Sequence, residues 1–295
     1  MALSGGADSV CLLSILKGLG YKIRAAHVNH MLRGNAIGDE EYVNKLCIDM
    51  GIEIDTAHID VAAYAKEHAF SIETAGRIKR YEFLQDLAKK YDGIIATAHN
   101  LSDSAESVIM HLMRGSGMKG LVGIRSKIVM GEAVVVRPLI ETERRDIEEY
   151  CRVNNLDPRH DETNDTLDYA RNDVRHNIMP LFSERSAVKS IVRTGYLLSA
   201  DEEFLEDLVG QIFKKNVRNG TVAVEFFNSQ PLAMQRRLIR LMIKPFEGRV
   251  NQSFQLVHID AVIEMAGKNY GGKYIEFPGG VRVKIEGGRL FACDK

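Results

Sequence analysis

The chain has 295 residues, a length for one large or two ordinary domains, and its 45% hydrophobic and 27% charged content is that of a globular protein. No apolar run approaches a membrane span, no basic-led apolar leader is visible, and the four cysteines (Cys11, Cys47, Cys151, Cys293) form no C-x-x-C pair. These features set aside a membrane protein, a secreted disulfide scaffold and a zinc or iron–sulfur protein, and they lead to the expectation of a cytoplasmic location.

The net charge of −1 argues against a generic nucleic-acid binder, but the charge is unevenly spread. Residues 211–295 hold 14 Lys and Arg against 7 Asp and Glu, whereas residues 1–210 hold 25 against 33. A polyanion partner for the basic tail is one reading, and scatter over a solvated surface is the other.

In chain order, Met1-Ala2-Leu3 is a strand stub ahead of "SGGADS" (4–9) and an apolar helix that starts at about Ser9. "KIRAAHV" (22–28) reads as a buried strand, and 38–51 as an amphipathic helix closed by a glycine. Further strands are expected at 52–59 and 93–99, and helices at 60–69, 72–90 and 101–114. "VVVRPL" (134–139) adds a strand, and 141–154 a helix with Glu143 and Arg144 near its start. The segment 157–181 is rich in Asp, Asn, Arg and His and poor in core residues, so it reads as a functional loop. A long helix follows at about 186–215. The tail then changes character: "TVAVEF", helices around "LAMQRRLIRLMI" and 254–266, and a meander over 273–294 turned by Pro278-Gly279-Gly280 and Gly287-Gly288.

Alternating strands and helices predict an α/β fold, a parallel sheet with helices on both faces, over residues 1–185. A smaller helical and α+β domain is expected over 186–295. A central strand normally runs about five residues. The first strand is therefore expected to be truncated, and a short, two-domain form is expected because no long extension follows Lys295.

In a parallel sheet the ligand lies at the carboxyl ends of the strands, where Ser4–Ser9, His27–Arg33 and His99–Glu106 fall. The two glycines of Ser4-Gly5-Gly6-Ala7-Asp8-Ser9 let backbone approach a ligand with N–H groups turned toward it, and the next helix points its N-terminus at the same spot. That is an anion site suited to phosphate, without the lysine of a Walker A loop. Asp8 makes sense beside phosphate as a ligand for Mg²⁺. The plainer reading is a turn that caps a helix.

Asp103 and Glu106, at i and i+3, share a helical face and could hold a metal contact, an ammonium group or both, or could merely favour a helix N-terminus. Glu73, Arg77, Arg80 and Tyr81 share another face, read as a site wall or as a surface ion pair over packing. His27, Asn29, His30 and Arg33 crowd a strand end as ligand contacts, although a lone histidine is more often structural. Arg171, Asn172 and Arg175 fit phosphate contacts or loop-stabilising ion pairs.

S-G-G-x-D-S between a strand and an apolar helix resembles the PP-loop of the N-type ATP pyrophosphatases, whose fold is adenine nucleotide alpha hydrolase-like. "AAHVNHMLR" (25–33), "IETAGRIKRYEFL" (72–84), "TAHNLSDSAESVIMHLMRGSGMKGL" (97–121), "VRPL" (136–139) and "DETNDTLDYARNDVRHNIMPLF" (161–182), in that order, resemble the tRNA(Ile)-lysidine synthase family over about 180 residues. "FPGG" and the preceding helices resemble that family's tRNA-binding domain more loosely.

The resemblance implies ATP-dependent joining of L-lysine to the wobble cytidine of tRNA(Ile) with a CAU anticodon. The base carbonyl is adenylated and lysine displaces AMP. It implies ATP contacts at Ser4, Gly5, Gly6, Ala7, Asp8, Ser9, His27, Asn29 and His99, and catalytic roles for Asp8, Asp103, Glu106 and Arg114. It also implies lysine or tRNA contacts at His30, Arg33, Glu73, Arg77, Arg80, Arg171, Asn172 and Arg175, with a homodimer left open.

The family usually has two adjacent aspartates where this chain has Ser102-Asp103. A tRNA thiolase on the same scaffold is a second reading, disfavoured by the absence of cysteine pairs. A non-catalytic tRNA-binding relative is a third.

Overall fold

The computed structural model describes residues 1–31, 36–159, 170–249, 254–268 and 271–295. The chain divides into two compact units, Met1–Ser199 and Ala200–Lys295. The division falls within a long helix, whereas the sequence pattern puts the join at 185/186, ahead of that helix.

The first unit is built on strands β1 (Arg24–Asn29), β2 (Glu53–His58), β3 (Ile95–Ala96), β4 (Lys127–Met130) and β5 (Ala133–Val136). β1 pairs with β2 in parallel, from Arg24 opposite Glu53 to Asn29 opposite His58. β3 pairs in parallel with β5, Ile95 opposite Val135. The three-residue Met1–Leu3 segment joins these pairs: the Leu3 amide donates to the Ala26 carbonyl (2.9 Å), and the Ala2 amide donates to the Ala96 carbonyl (2.9 Å). The lateral order is therefore β2, β1, Met1–Leu3, β3, β5, β4. β4 runs antiparallel, forming a hairpin with β5 through Val129 opposite Val134.

Both faces of this sheet are covered, as its apolar strands require. Ala25 packs in a cluster with Leu3, Leu13, Val43 and Cys47, from helices α1 (Ala7–Gly18) and α2 (Ala36–Asp49). Its neighbour Ala26 points the other way, into a cluster with Ile95, Val135, Tyr81 and Leu84. The last two belong to α4 (Ile72–Lys90), which follows α3 (Val61–His68). Ala96 turns back to the first face with Cys11, Leu12, Ile147 and Cys151. The alternation at 25/26 and 95/96 is the period-2 geometry of a strand buried on both sides.

Helices α5 (Leu101–Met113), α6 (Met118–Leu121) and α7 (Arg144–Val153) complete this layer. The expected strand at 93–99 shrinks to two residues, because Thr97 to Asn100 turn out of the ladder to open α5.

Residues 157–181 depart most from expectation. Residues 160–169 lie outside the described residues and 157–159 form no regular element, but residues 170–181 are helical. α8 (Ala170–Asp173) runs into a π-helical turn (Val174–Ile178) and then α9 (Met179–Ser183). Val174 and Met179 pack on Ala105 and Ile109 of α5. A few apolar residues at helical spacing suffice to dock this segment among its many polar ones.

α10 (Val188–Asn216) is followed by β6 (Thr221–Ala223), α11 (Val224–Asn228), α12 (Leu232–Ile243), α13 (Leu256–Gly267), β7 (Tyr274–Glu276), β8 (Val281–Glu286) and β9 (Arg289–Asp294). Only the first half of "TVAVEF" is strand. The second unit has an antiparallel sheet in the order β6-β9-β8-β7, with a core that includes Phe227, Leu238, Ile239, Ile259, Phe277, Ile285 and Leu290. Inside it Arg237 meets the buried Glu202, Arg236 pairs with Asp260, and Arg282 with Glu276. Arg236, Arg237 and Arg282 are therefore paired within the unit. Lys214, Lys215, Arg218, Arg240 and Lys244 are exposed, and among the described residues their side chains have no ion-pair partner.

Candidate active site

The connections after Met1–Leu3, β1, β3 and β5 all lie at the carboxyl edge of the sheet, where such folds place ligands. The first is Ser4–Ser9. α1 starts at Ala7, two residues earlier than expected, with Gly6 at its N-cap and no side chain capping it. Gly5 has φ +91°, and a Cβ there would lie 3.2 Å from Val43 Cγ1 and 3.3 Å from Tyr42 Cδ1. Conformation and packing both demand glycine.

Ser9 braces the loop from within: its Oγ accepts from the Ser4 and Gly5 amides (3.2 Å each) and donates to the Gly6 carbonyl (3.0 Å). This narrows the expectation that the loop's N–H groups turn toward a ligand. The Ser4 and Gly5 amides are spent on Ser9, and the donors left over are those of Ala7, Asp8 and Ser9 at the uncapped start of α1.

Asp8 is held on both oxygens. Oδ1 accepts from Asn100 Nδ2 (3.0 Å) and Oδ2 from Arg144 Nη1 (3.1 Å), while Arg144 Nε donates to Glu148 (2.8 Å). Burial raises the Asp8 pKa, and the Arg144 charge and the Asn100 hydrogen bond oppose that rise. Asn100 is itself the N-cap of α5 in a reciprocal capping box: its Oδ1 accepts from the Asp103 amide, and its amide donates to Asp103 Oδ2.

Asp103 and Glu106 do share a face, and that face meets two arginines. Asp103 Oδ1 accepts from Arg171 Nη2 (2.9 Å) and Arg175 Nη2 (3.2 Å). Glu106, 2% exposed, accepts from Arg171 Nε (3.0 Å), Arg175 Nε (2.8 Å) and Arg175 Nη2 (3.0 Å). These carboxylates thus anchor guanidinium groups on α8 and the π-turn rather than standing bare.

The remaining expected residues divide. His99 follows β3, bonded through Nδ1 to Thr97 Oγ1 (2.9 Å), and burial pulls its pKa down to about 4 despite the opposing charge of Asp103. The charges of Arg137, Arg171 and Arg80 press it down further. His30 is likewise pulled down to about 4, by burial first and then Arg80, and its buried Nδ1 has no partner among the described residues.

His27 is buried, with Nδ1 bonded to the Leu3 carbonyl (2.9 Å), so it ties β1 to the segment carrying the loop. Asn29 donates to Glu40 (2.9 Å), which His58 also contacts (2.8 Å). Asn172 is buried. Tyr81 sits in the core, Glu73, Arg77 and Arg80 are exposed, and no ion pair joins Glu73 to Arg77 among the described residues. Arg114 caps the far end of α5, eleven residues beyond Asp103 and so about 16 Å along the helix axis. The structure does not bring it to Asp8 or Asp103. Arg33 lies outside the described residues.

A family model described as a PP-loop domain matches residues 1–182. The chain belongs to the PP-loop family. The resemblance carried by Ser4–Ser9 thus extends over the first unit, and the parallel sheet covered on both faces is the PP-loop fold. The solved structure of the U34-tRNA thiolase NcsA from Methanococcus maripaludis with its [4Fe-4S] cluster shares that fold, with a TM-score of 0.56 at 22% identity over 68% of this chain and 71% of that one.

Among curated proteins, the tRNA(Ile)-lysidine synthase of Clostridium perfringens is 38% identical over 294 residues, 95% of this chain and 61% of that protein. The proteins of the same name from Geobacillus kaustophilus and Clostridioides difficile are 32% and 36% identical, with 64% and 62% of their lengths covered. The chain spans less than two thirds of the length of these relatives.

Three residues at this PP-loop site escape the sequence reading. Asn100 has a readable signal, the N-x-x-D capping pattern ahead of an apolar helix. Arg144 has none, because it reaches Asp8 across 136 positions. Arg137 sits in "VRPL" and is 6% exposed. Its Nη1 donates to the Arg125 carbonyl (2.6 Å), and it borders a cleft of about 300 Å³ with Ser126, Val136, Pro138, Ile140 and Glu141.

Proposed function

We propose that this chain carries the activity of a tRNA(Ile)-lysidine synthase: ATP-dependent joining of L-lysine to the wobble cytidine of tRNA(Ile) with a CAU anticodon. The observation that carries this reading is the 38% identity running through 294 residues, hence through both units, to a relative of that name. The cytidine carbonyl oxygen attacks the α-phosphorus of ATP, and the α–β bond breaks to release pyrophosphate. The lysine ε-amine, having lost a proton, then attacks the activated carbon and displaces AMP with that oxygen, leaving lysidine.

The start of α1 suits the leaving pyrophosphate: three amides without a partner among the described residues and a helix dipole favour anionic oxygens. Asp8 would hold Mg²⁺. A single carboxylate fits that ion, which takes its other ligands from phosphate and water. Among the described residues no group of three or more His, Cys, Asp or Glu forms a dedicated metal cage. When bound, the ion offsets charge on the pyrophosphate.

Asp103 and Glu106 hold Arg171 and Arg175 in place, and these arginines, with Arg80, supply positive charge for the nucleotide or the anticodon backbone. The second unit binds tRNA through Lys214, Lys215, Arg218, Arg240 and Lys244, which are exposed and have no ion-pair partner among the described residues. The reaction belongs in the cytoplasm, where its substrates are. No helix among the described residues is long and apolar enough to cross a membrane.

Two measurements test the reading. Incubation with ATP, Mg²⁺, labelled lysine and unmodified CAU-anticodon tRNA(Ile) should put label into RNA, and no ATP-dependent label refutes it. Asp8→Asn should cut AMP release by about two to three decades, the scale for losing one electrostatic stabiliser, and leave tRNA binding near wild type. Near-normal AMP release would rule out the role given to Asp8.

A further inference from the structure

Arg144 opens α7, and α7 packs its Ile147 and Cys151 against Cys11 and Leu12 of α1. That packing sets the last turn of α7 against the first turn of α1, with the Cys151 thiol 3.7 Å from the Ala7 carbonyl, and Arg144 reaches Asp8 from the opposite end of α7. Arg144 spends one N–H on Asp8 and one on Glu148. A guanidinium has five N–H donors in a fixed fork. The remaining donors of Arg144 have no partner among the described residues, and the side chain is 46% exposed. An arginine built only to neutralise Asp8 would need neither that exposure nor the second anchor on Glu148.

We propose that Arg144 is the residue that grips the pyrophosphate of the nucleotide, resting on Asp8 until the phosphate oxygens take its free donors. This rests on the adenylating reading of the same site and adds to it a phosphate-binding residue that comes from α7 rather than from the loop. The fork suits two oxygens of one phosphate group, which a lysine would meet only as a point charge. Glu148 holds the guanidinium at Nε, and Nη1 meets the loop at Asp8.

The probe is inorganic pyrophosphate, titrated into the full chain by calorimetry with and without Mg²⁺. Arg144→Gln should weaken binding about ten- to hundredfold, the worth of a charge-assisted contact, and Arg144→Lys should recover part of it. Glu148→Gln, which removes only the second anchor, should change binding less than Arg144→Gln. The decisive comparison is in an Asp8→Asn background without Mg²⁺. If Arg144 touches pyrophosphate, adding Arg144→Gln still weakens binding there. If Arg144 serves only to neutralise Asp8, the loss vanishes in that background and the proposal is overturned. Binding by Arg144→Gln within twofold of wild type overturns it as well. A wild type that binds pyrophosphate through Arg144 yet transfers no lysine to RNA leaves this inference standing and removes the proposed substrate. Transfer of lysine with an indifferent Arg144→Gln does the reverse.

Discussion

Glu106→Gln tests whether the Asp103–Glu106–Arg171–Arg175 cluster holds the first unit together. Glu106 is 2% exposed and accepts three hydrogen bonds from two guanidinium groups. The amide keeps one acceptor and turns its –NH₂ toward cations that have nothing to give it. Removing one member of a fully buried ion pair costs about 3–5 kcal/mol. Arg171 and Arg175 keep 31% and 27% of their side chains in solvent, so water recovers part of their loss, and the lower end applies, about 3 kcal/mol. In a unit of this size each kcal/mol moves Tm by about 2–4 °C, so the expected drop is about 6–12 °C by scanning calorimetry or circular dichroism. Arg171→Gln should cost less, because Glu106 keeps Arg175 and only a half-exposed group is lost. A Glu106→Gln Tm within about 2 °C of wild type would refute the reasoning.

Three further outcomes are expected. Gly5→Ala forces a left-handed φ on a residue with a Cβ and presses it on Val43 and Tyr42, costing about 1–2 kcal/mol or more, whereas Gly6→Ala, whose Cβ meets only Ser4 Oγ at 3.7 Å, should melt near wild type; equal melting curves would contradict the loop geometry. His30 and His99 ionise near 4 when folded against an ordinary 6.5, so the unfolded chain binds more protons between those values and stability should fall as pH drops from about 6.5 toward 4. His30→Leu should flatten that acid limb in a Tm-against-pH series, and an unchanged slope would count against a buried neutral His30. Replacing Lys214, Lys215 and Arg218 by Gln should lower the salt slope of tRNA binding by about 0.7–0.9 for each phosphate these side chains neutralise; an unchanged slope in filter binding would move the RNA surface elsewhere.

What is legible in the sequence follows from how local each signal is. α4 and α5 carry side-chain caps next to their own first turns, and the Ser71, Asn100 and Gly51 boundaries are one-residue signals. The β4–β5 hairpin is only half legible because Lys127–Met130 is a short edge strand that, among the described residues, pairs with β5 alone. Helix over 170–183 is hidden because its polar content masks the few positions, Val174 and Met179 among them, that dock on α5. Within the site, the spacing of Asp103 and Glu106 puts them on one face, but their arginine partners on α8 and the π-turn are set by tertiary packing. The direction of the Ser4 and Gly5 amides is not legible because it hinges on Ser9 Oγ turning inward, a rotamer that no pattern records.

Asn100 has a consequence for how the site responds when filled. One amide group is clamped from opposite sides: its oxygen by the first turn of α5, its nitrogen by the carboxylate of Asp8. A half-turn of the amide would break both contacts, so the side chain works as a ruler of fixed length between two helix starts. Any ligand that draws Asp8 away must either snap that ruler or pull on the cap of α5, and Asp103, which the same cap engages, carries the tug on to Arg171 and Arg175. Amide hydrogens at the start of α5 should therefore register the filling of a loop ninety residues away, and hydrogen exchange at Asp103 and Ser104 becomes a gauge of nucleotide occupancy that needs no label on the nucleotide.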